Sequence, residues 1–433
     1  MQDRDVLKVP LESEQDFPKF LKRIRKEENV YLEQLAEGLM SVTQLARIEK
    51  GQRPLPKNQR DCLLGRLGIA SDLYENLLNI EDYAAWECQR DILCAIERKE
   101  TQKAWKLIIA YENAKPKSDK IKRQFCLMME AEVLKQQEID QRDIAACYEK
   151  AAKCTIPDIA NLCIEKKLLS IQEINTVLEY QFYHKDADFA LRCRELMSFV
   201  ENAVYDDLSK VKIYPKIVYY YLREVFQGQC KETPEDLKKA LQICNQAIEM
   251  LRDTGRAYFL LELLEIKIRL LECMGKRSEE SGELRQEYQE STDLADLLRK
   301  LSAEYNVPAY MQDCTYLYQQ RWVFYIGDVL RIRRKMFGLT QKQLCEGVCS
   351  VRTLRRAEKR EANMQHEYLD VLLRKLGLSK EFQRSRLVTN DREVLKLKTE
   401  IFTARNNRDF DRCRELLKQL RGKVSLEIPE NRQ

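Results

Sequence analysis

The chain has 433 residues, with 75 lysines and arginines against 70 aspartates and glutamates, which gives a formal net charge of +5. Only 13 glycines and 10 prolines interrupt it, and its abundant Leu, Glu, Lys, Arg and Gln favour helix almost throughout. No apolar run approaches the ~20 residues that cross a bilayer, and the first residues lack a signal-peptide pattern. These features argue against a membrane protein and predict a cytoplasmic, all-α protein of about three domains.

The 15 cysteines are scattered singly, and the two histidines, His184 and His366, lie far apart in the sequence. A structural zinc site needs four nitrogen or sulfur ligands, usually in close pairs, so we expect no metal and no cofactor. We interpret the cysteines as small buried apolar residues of a reducing compartment. Phosphate-binding loops, dinucleotide-binding turns and nucleophile–base pairs are missing from the sequence, which argues against an enzyme.

The first predicted elements after a polar arm over residues 1–15 form a helix-turn-helix. A helix over 16–26 precedes two short helices that meet at Gly38, whose conformational freedom allows a sharp turn. Ser41 is a good N-cap for the second short helix, and Leu45 and Ile48 face inward. Small, polar and basic residues on its outer side suit the floor of a DNA major groove: Ser41, Val42, Thr43, Gln44, Arg47 and Lys50. Further helices are predicted over 58–67 and 71–78.

From about residue 80 to residue 325 the pattern changes to paired amphipathic helices, separated by breakers such as Pro157, Pro215 and Gly255. Recurrence at roughly 35–45 residues is typical of stacked helical hairpins, and therefore predicts an α-solenoid. Segments 145–151 and 240–248 resemble the second helix of a tetratricopeptide repeat. The predicted helices cover residues 84–98, 101–113, 117–136, 140–153, 159–171, 174–183, 187–201, 210–226, 234–253, 256–274, 280–301 and 311–325.

The helix-turn-helix recurs near the other end of the chain, at a constant shift of 309 residues and without a gap. Arg25 and Glu49, for example, recur as Arg334 and Glu358. Such a register over some ninety positions indicates an internal duplication. The outer side of the second recognition helix holds Ser350, Arg352, Thr353, Arg355 and Arg356. A helical hairpin over 391–404 and 409–420 follows, as the hairpin over 84–113 follows the first unit.

Positive charge follows the duplicated units. Residues 20–71 hold ten Lys or Arg and six Asp or Glu, and residues 329–380 hold thirteen and five, so the remaining chain carries −7. Two basic units joined by an acidic middle region are what a protein needs in which a scaffold holds two nucleic-acid contacts.

The segment Leu339–Ser350 (LTQKQLCEGVCS) resembles the DNA-binding domain of Xre-type repressors, and more closely that of the peptide-sensing RRNPP regulators of Gram-positive bacteria. The resemblance covers about 60 residues in each unit and is only architectural over the middle. It implies a tetratricopeptide-like solenoid that binds a short signalling peptide. It also implies a phosphate contact at Gln341, where the first unit has Leu32 instead. This chain departs from the family in carrying two units, and the second has Arg360 where the first has Gly51.

The hypothesis is a bacterial, sequence-specific transcription regulator that binds double-stranded DNA, senses a small ligand such as a quorum-sensing peptide, and forms a homodimer. Residues 1–79 would form the first helix-turn-helix, 80–325 the sensor, 326–388 the second helix-turn-helix, and 389–433 a hairpin and tail. The alternative is a helical-repeat scaffold for protein partners that uses the helix-turn-helix folds for assembly.

The resemblance also implies that asparagines in the groove of the solenoid hold the peptide backbone, because a side-chain amide both donates and accepts hydrogen bonds. The residues of the middle region to which this points are Asn161, Asn175, Asn202, Asn245 and the run Tyr219–Tyr221. The alternative is that the asparagines are ordinary surface residues and the tyrosines ordinary core and rim. With one recognition unit at each end of a solenoid, a change in solenoid curvature would alter the distance between the units.

Overall fold

The computed structural model describes residues 17–53, 55–69, 74–114, 119–184, 188–226, 233–275, 282–311, 313–320, 323–376, 378, 383–385, 392–406 and 408–424. The polar arm and the C-terminal tail predicted from the sequence lie outside these residues.

The fold is helical, as the composition predicts, with twenty α-helices in the described ranges. The first unit comprises Phe17–Glu27 (α1), Leu32–Ala36 (α2), Val42–Glu49 (α3) and Lys57–Arg66 (α4). The middle region comprises Ile80–Glu97 (α5), Thr101–Asn113 (α6), Lys120–Gln136 (α7), Gln141–Thr155 (α8), Ile171–Tyr183 (α9), Phe189–Asn202 (α10), Asp207–Val225 (α11), Pro234–Thr254 (α12), Leu260–Gly275 (α13) and Gly282–Glu304 (α14). The second unit and its hairpin comprise Ile326–Met336 (α15), Gln341–Cys345 (α16), Val351–Glu358 (α17), His366–Lys375 (α18), Arg392–Asn406 (α19) and Phe410–Lys423 (α20).

The middle region is a stacked array. Each of its helices packs on its neighbours in sequence, and α5, α9 and α11 also pack on α7, α11 and α13 respectively. One continuous apolar core runs from Ile92 on α5 to Leu317. Each helix-turn-helix unit has a separate small core, built around Leu35 and Leu45 in the first and Leu344 and Leu354 in the second. The all-α solenoid predicted from helix pairing is therefore confirmed.

The duplication is visible in the backbone. The bounds of α15, α16, α17 and α18 equal those of α1, α2, α3 and α4 shifted by 309 residues. Left-handed residues recur at the same shift, for example Gly38 with φ 73° and Gly347 with φ 70°. The same sequence pattern has therefore produced the same local structure twice.

Three predicted helices are wrong. In place of a helix over 71–78 the chain forms a strand, Tyr74–Leu78 (β1). The segment predicted as a helix over 311–325 holds the 3₁₀ turn Thr315–Leu317 and the strand Val323–Tyr325 (β2). Residues 159–171 form two 3₁₀ turns, Ile159–Asn161 and Ile164–Lys166, before α9 begins. Short apolar runs fit a strand or a helix equally well, so their partners decide.

Pro215 was predicted to break a helix, yet it lies inside α11. A proline there removes one backbone hydrogen bond and crowds the preceding turn. The flanking residues Val211, Ile213, Ile217 and Val218 are fully buried, so the packing of α11 in the solenoid core outweighs that local cost.

A small sheet joins the two halves of the duplication. Its strand order is β2, β1 and Gln383–Ser385 (β3). β1 pairs with β2 in parallel and with β3 antiparallel. The expectation that the solenoid holds the two units apart at its opposite ends is therefore wrong, because the strands that flank the units pair with each other directly. The terminal hairpin also returns to the solenoid, where α19 packs on α12.

The described cysteines follow the expectation of burial only in part, because Cys88 and Cys163 are exposed and four others are half-buried. Thirteen of those described are free thiols, whereas Cys273 is disulfide-bonded. Among the described residues, no cluster of three or more His, Cys, Asp or Glu is placed to hold a metal ion. Nor does any described helix have the length and apolarity to cross a membrane.

Candidate nucleic-acid interface

Helix α3, the predicted recognition helix of the first unit, begins at a complete capping box. The Ser41 hydroxyl accepts a hydrogen bond from the Gln44 amide at 3.2 Å, and the Gln44 side chain accepts one from the Ser41 amide at 3.2 Å. Such reciprocal caps satisfy amides that the helix leaves free. The cap fixes where α3 starts. It also engages the side-chain oxygen of Gln44, which is one of the residues predicted to contact bases.

The outer face of α3 is open to solvent. Val42, Thr43, Arg47 and Lys50 are exposed and Gln44 is half-buried, whereas Leu45 and Ile48 are buried in the core of the unit. The structure therefore brings together on one face the residues that the helical period placed there. Lys22, on α1, is also exposed, while Arg23 is half-buried with its guanidinium 5.6 Å from the centre of the Phe20 ring.

The equivalent face of α17 is more basic. Arg352, Arg355 and Arg356 are exposed, and no ion pair joins their guanidinium groups to the described residues. Thr353 lies half-buried beside Ser350, whose hydroxyl caps the Thr353 amide at 3.1 Å. Three guanidinium groups within five residues, with no ion-pair partner in the described part of the chain, repel one another and attract an anion. This helix therefore has the stronger local positive field.

Both recognition helices are braced from behind by the same buried ion pair. Arg25 on α1 donates to both Glu49 oxygens, at 2.6 and 2.9 Å, and to the Val30 carbonyl at 2.8 Å. Arg334 makes the equivalent contacts with Glu358 and Leu339. The hydrogen bond that Arg25 donates to Glu49 raises the pKa of Arg25 above its ordinary value, against the opposing effect of burial. A forked guanidinium–carboxylate pair fixes orientation as well as distance, so each recognition helix is held rigidly on its unit.

Gln341, predicted to meet a phosphate, is turned toward this brace. Its side-chain amide donates to Glu358 at 2.8 Å, and the residue is half-buried. It therefore supports the ion pair of the second unit, a role that the sequence analysis missed.

The first unit is docked on the solenoid through its turn and its fourth helix. Arg66 of α4 donates to both oxygens of Glu173 on α9, at 3.0 and 2.6 Å, and to the carbonyls of Leu35 and Glu37. Arg66 is 4% exposed and Glu173 is 0% exposed. Burial by itself would raise the pKa of Glu173, but the Arg66 guanidinium holds it below its ordinary value. The docking therefore contains a buried charge pair.

The turn of the first unit fits closely against the end of α8. A Cβ placed on Gly38 would lie 1.8 Å from the Thr155 carbonyl oxygen, whereas one on Gly347 would meet nothing within 4 Å. Lys375, the equivalent of Arg66, caps the carbonyls of Leu344 and Glu346 but is exposed. Among the residues that the structure describes, nothing therefore covers in the second unit the face that docks the first.

The second unit is anchored instead by Arg360, in a left-handed conformation with φ 59°. Its guanidinium lies 4.8 Å from the Tyr83 ring centre and 5.1 Å from that of Tyr325, and it pairs with Asp328 at 2.7 Å. A non-glycine residue there is strained by roughly 1–2 kcal/mol. The replacement of Gly51 by Arg360, which is visible in the sequence, therefore supplies an anchor to α5.

A buried polar network lies inside the solenoid, between α7, α9 and α11. Lys216 donates to Asn175 at 2.6 Å and also contacts Glu179, which lies 3.7 Å from Lys135. Burial opposes ionisation of Glu179, but Lys135 and Lys216 lower its pKa. The Nδ2 atom of Asn175 is buried without a hydrogen-bond partner among the described residues.

The other sensor candidates are dispersed. Asn161 and Asn202 are exposed, and Asn245 donates to Glu287 at 3.0 Å. Tyr219, Tyr220 and Tyr221 are half-buried, and the Arg223 guanidinium lies 5.8 and 5.9 Å from the ring centres of Tyr219 and Tyr220. The structure therefore does not bring the four asparagines together into one groove.

Fold and surface define the class: an all-α protein in which a solenoid carries two basic helix-turn-helix units. No protein-family model and no curated protein matches the chain. Among solved structures it is similar to PlcR of Bacillus thuringiensis in complex with the peptide PapR7 and DNA. The similarity has a TM-score of 0.36 at 12% identity and covers 67% of this chain and 98% of that one.

Proposed function

We propose that the protein is a transcription regulator that binds double-stranded DNA sequence-specifically through both helix-turn-helix units. The observation that carries this proposal is the pair of rigidly braced helices, α3 and α17, with open polar and basic faces at equivalent positions. Thr43, Gln44 and Arg47 would contact bases in the first unit, and Arg352, Thr353 and Arg356 in the second. Ser41, Val42, Lys50, Ser350 and Arg355 would complete the two contact surfaces, whereas Gln341 is engaged with Glu358.

We propose the same roles for the segments of the chain as the sequence predicts. Residues 1–79 and 326–388 are the DNA-binding units, 80–325 the sensor, and 389–433 a hairpin and tail. The separate apolar cores of the two units and of the middle region support this division.

DNA binding is tested by selecting preferred duplexes from a random pool and measuring their affinity over a range of salt concentrations. Arg47→Ala and Arg352→Ala should each make the free energy of DNA binding less favourable by ~1–3 kcal/mol and relax the sequence preference at one base position. Lys50→Ala should weaken all sequences alike and reduce the salt slope by about one.

The control is Arg98→Ala, an exposed arginine at the end of α5, outside both units, which should bind as the unaltered protein does. Binding without sequence preference, or full affinity in both arginine variants, would favour the alternative of a protein-interaction scaffold.

We further propose that the solenoid senses a small ligand, with a short peptide as the class that the family resemblance implies. The buried network around Lys216 supports this, because a polar group left unpaired in a core costs about 1–3 kcal/mol, and a ligand able to pair with Asn175 would relieve that cost. The same DNA-binding assay, repeated with short host-derived peptides, tests it. Operator affinity should shift with peptide, and Asn175→Leu should abolish the shift while Asn202→Leu, on the surface, should not. Unchanged affinity with all peptides contradicts the sensor.

A further inference from the structure

The register between β1 and β3 has a symmetry that the two halves of a duplication do not need to show. Tyr74 pairs with Ser385, Glu75 with Arg384, and Asn76 with Gln383. At the 309-residue shift, Glu75 and Arg384 are equivalent positions. Tyr74 pairs with Ser385, which is the equivalent of Asn76, and Asn76 pairs with Gln383, which is the equivalent of Tyr74. An antiparallel pair with this register is related to itself by a local two-fold axis through its central pair.

The two strands follow their units at the same distance in the chain. β1 starts at Tyr74, eight residues after α4 ends, and β3 starts at Gln383, eight residues after α18 ends. The unit preceding each strand has the same helix bounds, the same Arg–Glu brace and the same cap on its second helix. The equal spacing and the matching units are what a two-fold axis extending from the strands to the units requires.

Direct contacts also fix the second unit to the segment that follows the first. β2, which leads into α15, pairs with β1. The side chain of Asn363 donates to Glu81 at 2.6 Å and accepts from the Ile80 amide at 3.0 Å. With the contact between Arg360 and Tyr83, these bonds hold the second unit on the start of α5 within a single chain.

We infer that the chain is an internal pseudo-dimer, in which one molecule presents two recognition helices related by a local two-fold axis and binds an inverted repeat. This rests on the proposed function and adds the form of the operator and the stoichiometry. Operator symmetry mirrors protein symmetry in helix-turn-helix dimers, and here a single chain supplies both halves. The homodimer expected from the sequence is then not needed to occupy two half-sites.

The two half-sites should differ in sequence. Thr43, Gln44 and Ala46 of the first unit are replaced by Arg352, Thr353 and Arg355 in the second, whereas Arg47 is retained as Arg356. Arginine is the usual bidentate partner of guanine in the major groove, whereas glutamine pairs with adenine. The operator is therefore an imperfect inverted repeat in which the half-site of the second unit is richer in guanine contacts.

The test is to footprint the full-length protein on its selected duplex and to measure the mass of the complex. The expected result is two inverted half-sites covered by one chain. Arg47→Ala should remove protection of one half-site, and Arg352→Ala that of the other, each with roughly tenfold or greater loss of affinity. Two chains on an inverted repeat, a direct repeat, or one half-site affected by both variants overturns the inference but leaves DNA binding intact. Absence of sequence-preferring binding overturns the proposed function as well.

A second pair of variants tests the strand pairing itself. Alternate residues of an antiparallel strand turn their amides toward the partner strand, and a proline is tolerated only where the amide points away. Arg384→Pro and the double variant Gln383→Pro with Ser385→Pro therefore serve as each other's control. The variant whose replaced amides point away from β1 should keep two-site binding. The variant whose replaced amides bond to β1 should fold and bind a single half-site. It should lose about tenfold or more in affinity for the double site, and its affinity should no longer depend on half-site spacing. If neither variant changes two-site affinity, the strands do not set the geometry.

Discussion

Arg66 and Lys375 occupy equivalent positions and cap the second helix of their units in the same way. Among the described residues, only Arg66 has a buried carboxylate partner. Removing one member of a buried ion pair leaves an uncompensated charge and typically costs ~3–5 kcal/mol. The comparison separates the energy of the docking from that of the cap.

We expect Arg66→Met to lower the free energy of unfolding by about 3–5 kcal/mol, because Glu173 stays buried without its partner. Lys375→Met should cost about 1 kcal/mol or less, since solvent reaches the carbonyls it leaves. Urea unfolding of both variants, followed by circular dichroism, measures the difference. Equal losses would show that Arg66 acts only as a helix cap.

At the scale of elements, the turn between the two short helices has different surroundings in each unit. Gly38 and Gly347 share a left-handed backbone, so an alanine costs about 1–2 kcal/mol at either position from conformation alone. Only Gly38 also faces the end of α8 at a distance that excludes a Cβ.

Gly38→Ala should therefore destabilise the protein by roughly 3 kcal/mol or more, or undock the first unit. Gly347→Ala should show only the conformational cost. Limited proteolysis together with thermal unfolding measures both effects, since an undocked unit exposes new cleavage sites. Equal behaviour of the two variants contradicts the close docking of the first turn.

At the scale of the whole molecule, buried carboxylates couple stability to pH. The pKa of Glu173 and that of Glu179 are lowered by their cationic partners despite burial. Their stabilisation is present above the ordinary glutamate pKa of 4.5 and is lost as the pH falls through the lower folded-state values. Glu130 and Glu262, whose pKa burial raises, act in the opposite sense.

The free energy of unfolding should therefore fall below pH 4.5, and less steeply in Glu173→Gln than in the unaltered protein. Urea midpoints at several pH values between 6 and 3 provide the measurement. A variant with the unaltered slope would show that the Arg66–Glu173 pair does not contribute to acid sensitivity.

The sequence by itself determined the features that depend on neighbours in the chain. The 3.6-residue period placed Leu45 and Ile48 inside and Thr43 and Arg47 outside. Ser41 caps its helix as expected, and its equivalent Ser350 does the same. The duplication predicted matching units, and the helix bounds match without an offset. These features were accessible because backbone hydrogen bonding, capping and amphipathic burial act within a few residues.

Only the tertiary structure decided how the units are placed. Strand β1 pairs with segments about 250 and 310 residues away, so no local pattern distinguishes it from a helix. The docking of Gly38 on Thr155, the pairing of Arg66 with Glu173 and the anchoring role of Arg360 likewise require surfaces that folding brings together. The relative placement of the two recognition helices follows from those distant contacts, since each unit's local sequence specifies its own fold but not its neighbour.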